Sequence, residues 1–139
     1  MSYLGEGLPV PQPEADGLSA PYWEGLRDEV LRVQRCSACG NWQWGPEWIC
    51  HVCHSFDLDW VEVEGRGQIY SWERSHHPVH PALKERVPYV AVLVELPAAG
   101  NIRMIGNLLG EPMDDVVIGT EVKAVFEHHN ESEPPYTLV

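Results

Sequence analysis

Apolar and polar residues keep two different periods along this chain, with a short irregular stretch between them. Tyr22, Trp23, Leu26, Val30 and Leu31 fall on one face at helical spacing, with Glu24, Arg27, Asp28 and Glu29 mostly opposite. Ser19 is placed to cap this helix and Pro21 sits in its first turn, where a missing N–H costs nothing. The helix is expected to end near Leu31. From Leu58 the period becomes two. Leu58–Glu64 alternates, Gly65-Arg66-Gly67 breaks the pattern, and Gln68–Ser75 resumes it. Further strands are expected at Tyr89–Leu96, Ile102–Leu109, Glu121–Glu127 and the tail Tyr136–Val139, with a tight turn at Pro97–Asn101. Five strands, the first long and bent with glycines at the corner, fit a small closed Greek-key barrel of the OB type. The expected class is mainly β: a flexible N-terminal arm at 1–18, helix plus ribbon at 19–57, and an OB-fold domain at 58–139. The arm is assigned on its Pro and Gly content and its lack of periodicity.

The stretch between helix and barrel follows neither period, and its chemistry explains why. It holds all four cysteines of the chain, as Cys36-x-x-Cys39 and Cys50-x-x-Cys53. Two such knuckles supply a closed tetrahedral sulfur set, which Zn2+ favours. Gly40 follows the first pair, where the backbone must turn at positive φ. Two disulfides or a redox dithiol are the alternatives, but no βαβ pattern flanks either pair. Trp42, Trp44, Trp48 and Phe56 crowd the same segment, and some of these rings are expected to shield the knuckles. His51 and His54 flank the second pair; with four thiolates present they are expected outside the metal shell.

The chain has 139 residues, room for one ordinary domain or two small ones if a metal staples one of them. Its formal charge of −12 changes the list of partners. Small barrels and zinc ribbons often bind nucleic acid, but that requires a basic footprint, which is missing here. No apolar run is long enough to span a bilayer, and no signal segment opens the sequence. With no cysteine left over to pair, a reducing, cytoplasmic setting is expected.

Other candidate groups are scattered. His76, His77 and His80 open the loop after the first barrel strand, and His128 and His129 follow the fourth; the expectation is an exposed polar loop rather than a second metal site. Arg66, Arg74, Lys84, Arg86 and Arg103 are the cations of the barrel half and candidates for the phosphates of coenzyme A. No phosphate loop, nucleophile elbow or zinc-protease motif is present, so no catalytic residue is assigned.

The ordered set Trp23-Glu24-Gly25, Arg35-Cys36-x-x-Cys39-Gly40, Cys50-x-x-Cys53, Ser55, Trp60 and Gly65-x-Gly67, then PYVAVLVEL, IGNLLG and Gly119, resembles a known family. That family joins a rubredoxin-like zinc ribbon to an OB fold and is associated with acyl-CoA metabolism. The likeness runs from Ala20 to the end. It implies zinc on Cys36, Cys39, Cys50 and Cys53. It also implies a non-catalytic small subunit that docks on a thiolase-fold enzyme, such as a steroid side-chain aldolase, in a 2:2 heterotetramer with acyl-CoA as the shared ligand. The family commonly reads Pro-Pro-Arg between the cysteine pairs; here Gly45-Pro46-Glu47 puts an anion in place of the cation. A free-standing acyl-CoA-binding module and a single-strand nucleic-acid binder are the alternatives, the second disfavoured by charge.

Overall fold

The structure is a computed structural model that describes residues 5–139; the first four residues of the expected arm lie outside them. The backbone at Gly5 is buried against Ala82 and Leu83. The predicted helix forms as α1, Ala20–Arg27, and stops short of Leu31. Its end is a Schellman turn. Glu29 takes a left-handed φ of 58°, its N–H donates to Leu26 O (3.1 Å), and the Val30 N–H reaches Gly25 O (2.9 Å). Gly25 explains the close fit, because a Cβ there would lie 2.7 Å from the Val30 carbonyl. Ser19 does not cap with its side chain; its φ of −94° and ψ of 3° are not the extended conformation that aims the hydroxyl at the first turn. Leu31, placed on the helix by periodicity, instead opens a strand.

The ribbon sheet has the order β2-β1-β3, from β1 (Leu31–Cys36), β2 (Trp42–Gln43) and β3 (Leu58–Val63), all antiparallel. The barrel sheet has the order β6-β5-β4-β7, from β4 (Arg66–Ser75), β5 (Tyr89–Leu96), β6 (Ile102–Asn107) and β7 (Glu121–Lys123). A hairpin of β8 (Glu127–His129) and β9 (Tyr136–Leu138) completes the fold. The long bent strand read from sequence is therefore two strands in two sheets, Leu58–Val63 pairing with the ribbon and Arg66–Ser75 with the barrel. Gly67 permits this crossing: a Cβ there would sit 2.5 Å from both Glu95 O and a Val94 methyl. A bulge between Ile69 and Ser71 adds twist to β4. The barrel is half open, since β6 and β7 each pair on one side only.

One core joins the two halves. Leu26 of α1, Leu31 and Val33 of β1, and Leu96 and Ala99 of the barrel are buried together, with Tyr22, Trp23, Trp42 and Phe126 packed around them. The helix thus covers the chain's own core. A second cluster, Ile69, Val90 and Val92, lies on the inner face of the barrel sheet. Trp42 is the joint between halves: a Cβ at Gly100 would fall 2.5 Å from its indole ring, and Gly100 holds φ at 63°.

Candidate metal centre

Each cysteine pair folds into the same backbone turn. In the first, the Gly40 N–H donates to Cys36 O (2.8 Å) and the Cys36 N–H to Asn41 O (2.8 Å). In the second, the His54 N–H donates to Cys50 O (2.9 Å) and the Cys50 N–H to Ser55 O (2.9 Å). Gly40 and His54 hold the equivalent left-handed position, with φ of 77° and 62°. The histidine accepts a conformation that glycine takes without strain.

The two turns bring four sulfurs within 4.8 Å of one another. Cys36 Sγ lies 3.6 Å from Cys53 Sγ, and Cys39 Sγ lies 3.7 Å from Cys50 Sγ. A tetrahedron with metal–sulfur bonds of about 2.3 Å has edges of about 3.8 Å, so these separations fit a Zn2+ at the centre. They are far too long for disulfides, whose S–S bond is about 2.0 Å. Cys36 and Cys50 are buried while Cys39 and Cys53 are exposed, so a metal held by the four would have one side toward solvent. Four thiolates leave no open position, so the centre is structural.

The sulfurs also bias each other's charge. N–H groups of Cys53 and Val52 pull Cys50 down to about 6. At Cys53 the Ser55 N–H works in the same direction, but burial and the neighbouring sulfurs together outweigh it and push the thiol up to about 12. A divalent cation removes that conflict by taking all four as thiolates.

Two buried glutamines hold the second knuckle in place, and the sequence pattern did not single them out. Gln34 of β1 and Gln43 of β2 are 3% and 1% exposed. Gln34 Oε1 accepts from the Glu47 N–H (3.0 Å), and its Nε2 donates to Glu47 O (3.0 Å). Gln43 Nε2 donates to Gln34 Oε1 (3.1 Å) and to Ile49 O (3.2 Å), while its Oε1 accepts from the His51 N–H (3.3 Å). This clasp fastens the loop 47–51 to the ribbon sheet. A period-two reading does mark positions 31 and 33 as inward, but two adjacent buried residues, Val33 and Gln34, break any alternation that could have flagged the glutamine.

The remaining candidates are placed as follows. His51 and His54 are exposed beside the second knuckle. His76 and His77 are exposed, and His80 Nδ1 accepts from the Ala82 N–H (3.1 Å), capping a short helical turn. His128 bridges Thr137 Oγ1 (3.0 Å) and Glu29 Oε1 (3.0 Å), and His129 stacks on Tyr136 at 4.4 Å. Among the described residues no second cluster of possible metal ligands forms. Three of the five barrel cations already hold partners. Arg66 pairs with Glu64 and Glu121, both at 2.9 Å. Arg74 is held by the carbonyls of Pro112 and Asp114, and Arg103 pairs with Glu95 (3.1 Å) and lies over the Tyr70 ring. Arg66 and Arg74 are eight positions apart on one strand, roughly 25 Å, beyond the reach of one diphosphate. Lys84 and Arg86 lie exposed in the loop before β5.

Of the four rings crowded near the knuckles, Trp42 and Trp44 are half-buried, whereas Trp48 is 58% and Phe56 77% exposed. Trp48 and Phe56 therefore do not shield the cysteines. With Ile49 and Val52 (64% exposed) they make an apolar surface beside the second knuckle.

Residues 23–59 match the family described as ChsH2, rubredoxin-like zinc ribbon domain, and residues 60–127 match ChsH2, C-terminal OB-fold domain. The solved structure of the Ltp2-ChsH2(DUF35) aldolase superposes with a TM-score of 0.73 at 37% identity, over 91% of this chain and 94% of that one. The chain belongs to the ChsH2 family. A probable enoyl-CoA hydratase alpha subunit of Thermomonospora curvata is 40% identical over 92% of this chain. The 3-oxo-4,17-pregnadiene-20-carboxyl-CoA hydratase alpha subunit of Mycobacterium tuberculosis is 32% identical over 83% of it. The chain spans 38% and 35% of these two proteins. The resemblance read from the ordered motifs, to a family that joins a rubredoxin-like zinc ribbon to an OB fold, is thereby shown, as is the mainly β architecture of helix, ribbon and OB-type sheets. No helix among the described residues is long and apolar enough to cross a membrane.

Proposed function

We propose that this chain is a non-catalytic accessory subunit of a thiolase-like acyl-CoA enzyme, a retro-aldolase or thiolase. It would act in side-chain degradation of a steroid or aromatic acyl-CoA. The observation that carries this reading is the pairing of a closed tetrathiolate centre with an apolar surface left uncovered beside it. The metal is coordinatively complete and has no position for substrate. Trp48, Ile49, Val52 and Phe56 form an exposed group of large apolar side chains, of the kind that marks a protein interface. The Ltp2-ChsH2(DUF35) aldolase and the pregnadiene-carboxyl-CoA hydratase supply the acyl-CoA and steroid context by similarity. We take the assembly to be a 2:2 heterotetramer in the cytoplasm, with the catalytic residues on the larger partner. A CoA thioester would then be a shared ligand. Because Arg66, Arg74 and Arg103 already hold internal partners, its phosphates would have to displace them.

The test is co-expression with a thiolase-like chain, read by size-exclusion chromatography with light scattering. Wild type is expected to co-elute with the partner. Phe56→Asp, at a site too exposed to disturb the fold, is expected to weaken the complex by about a hundredfold, as loss of a well-packed anchor does. Co-elution undiminished by Phe56→Asp and by Trp48→Ser would remove this surface from the interface. A wild-type chain that stays alone would remove the subunit role itself.

A further inference from the structure

The half-open barrel leaves a groove of about 370 Å³ between β6 and the β7–β9 side. Its floor is aliphatic: Val92, Val94, Met104, Leu108, Val122 and Leu138. Its walls have an unusual feature for a sheet. Consecutive residues 104–109 and 122–125 line it, whereas a strand seen face-on would offer every second residue. Both strands therefore turn their edges to the groove.

The hydrogen-bond ladder identifies which groups those edges present. The Leu108 N–H donates to Val90 O (2.9 Å), so the inward-bonded positions of β6 are the even ones. Arg103, Ile105 and Asn107 then point their N–H and C=O groups away from β5. On the other wall the Ala124 N–H donates to Gly65 O (2.7 Å) and the Ile69 N–H to Thr120 O (3.0 Å). By the same alternation Glu121, Lys123 and Val125 point theirs away from β4. Among the described residues none of these six makes a backbone bond outside the strand ladders. Ile105, 78% exposed, stands on the bare edge of β6.

Edges of this kind are usually blunted by proline, lysine or a covering element. Here β6 has neither proline nor lysine and its Arg103 is drawn to Glu95 and the Tyr70 ring, so Lys123 of β7 is the one lysine at the seam, and a dry floor runs beside it. A small aliphatic ligand would fill the floor but strand the donors and acceptors of both walls in a dried seam. A folded second copy could pair with one wall by its own edge strand but, with its sheet attached, not with both. A single extended segment satisfies both requirements, bonding the walls with its main chain and filling the floor with alternate side chains. The formal charge of −12 favours basic residues at its ends.

We propose that this seam is an acceptor for one β-strand of another polypeptide, with aliphatic residues at alternate positions and basic flanks. Gly106 is the key to its depth. It lies on the inner side of β6 opposite Val92, and a Cβ built there meets no atom within 4 Å. The strand's side chains use that space.

The test is hydrogen–deuterium exchange of the full zinc-loaded chain with a short acetylated peptide that alternates Val and Thr between terminal lysines. The peptide contains nothing of a catalytic subunit, so the outcome reads on the seam and not on the proposed function. Slowed exchange at the amides of Arg103, Ile105 and Asn107, or of Glu121, Lys123 and Val125, is expected. The same peptide with a central proline should give none of it. Gly106→Leu, with unchanged circular dichroism and zinc content, should weaken peptide binding about tenfold by filling the floor. Absence of protection, equal protection by the proline peptide, or displacement of the alternating peptide by laurate without edge protection would each overturn the proposal. If Gly106→Leu fails to fold, the comparison of the two peptides decides alone.

Discussion

At the residue scale the molecule depends on groups whose value is set by what surrounds them. Cys50 is pulled down to about 6 by the N–H groups of Cys53 and Val52. A thiol lowered in this way contributes stability that is complete above the ordinary thiol range and is lost as pH falls through about 6. In the zinc-loaded chain protons compete with the metal for all four thiolates, so zinc release, followed with a chromogenic chelator, should rise as the pH falls below neutral. Release that does not change between neutral pH and pH 5 would contradict this. Gln43 makes a second residue-level prediction. Gln43→Ala removes the side-chain partner of the Ile49 carbonyl and of the His51 N–H, and one of the two hydrogen bonds that Gln34 Oε1 accepts. The expected cost is about 1–3 kcal/mol, read from the urea midpoint, with faster zinc loss. The cysteine ligands were legible because tetrathiolate spacing is a local, chemical signal. The glutamines were not, because a polar residue in a strand gives no sign of being buried until its partners are placed around it.

At the scale of elements, periodicity found α1 and most of the strands but misplaced where some of them stop. Val30 and Leu31 fit the apolar face of the helix, yet the Schellman turn at Glu29 ends it and passes Leu31 to β1. Helical spacing could not separate these cases, since Leu31 is buried in the same core either way. The bend at Gly65–Gly67 was legible from its glycines. Its consequence, a change of sheet, was not, because strand pairing is decided between distant segments. Gly100 offers a test of the joint between ribbon and barrel. Gly100→Ala places a methyl against Trp42 and strains a φ of 63°. A loss of about 1–3 kcal/mol is expected, with a changed tryptophan fluorescence signal. A neutral substitution would show that Trp42 is free to move and that the two halves are not rigidly joined.

At the scale of the whole molecule, two incomplete surfaces remain: the apolar patch beside the second knuckle and the open seam of the barrel. The open seam was outside the reach of sequence reasoning, which foresaw a closed barrel; which of the ribbon's rings would stay uncovered was not legible either. The pattern of alternation is the same for a closed barrel and an open one. Only the placement of β6 and β7 shows that no strand lies between them. Trp48 and Phe56 are accessible because the Gln34–Gln43 clasp and the metal hold their loops in place without needing those rings as filling. The ribbon has little core of its own, so the rigidity of that patch rests on coordination at the four sulfurs.

Metal analysis of the purified full chain, paired with a count of free thiols after denaturation in chelator, addresses this most directly. The account predicts a single zinc ion per chain and four reduced cysteines. A chain that is folded but metal-free, or one whose sulfurs are recovered as cystines, would contradict it.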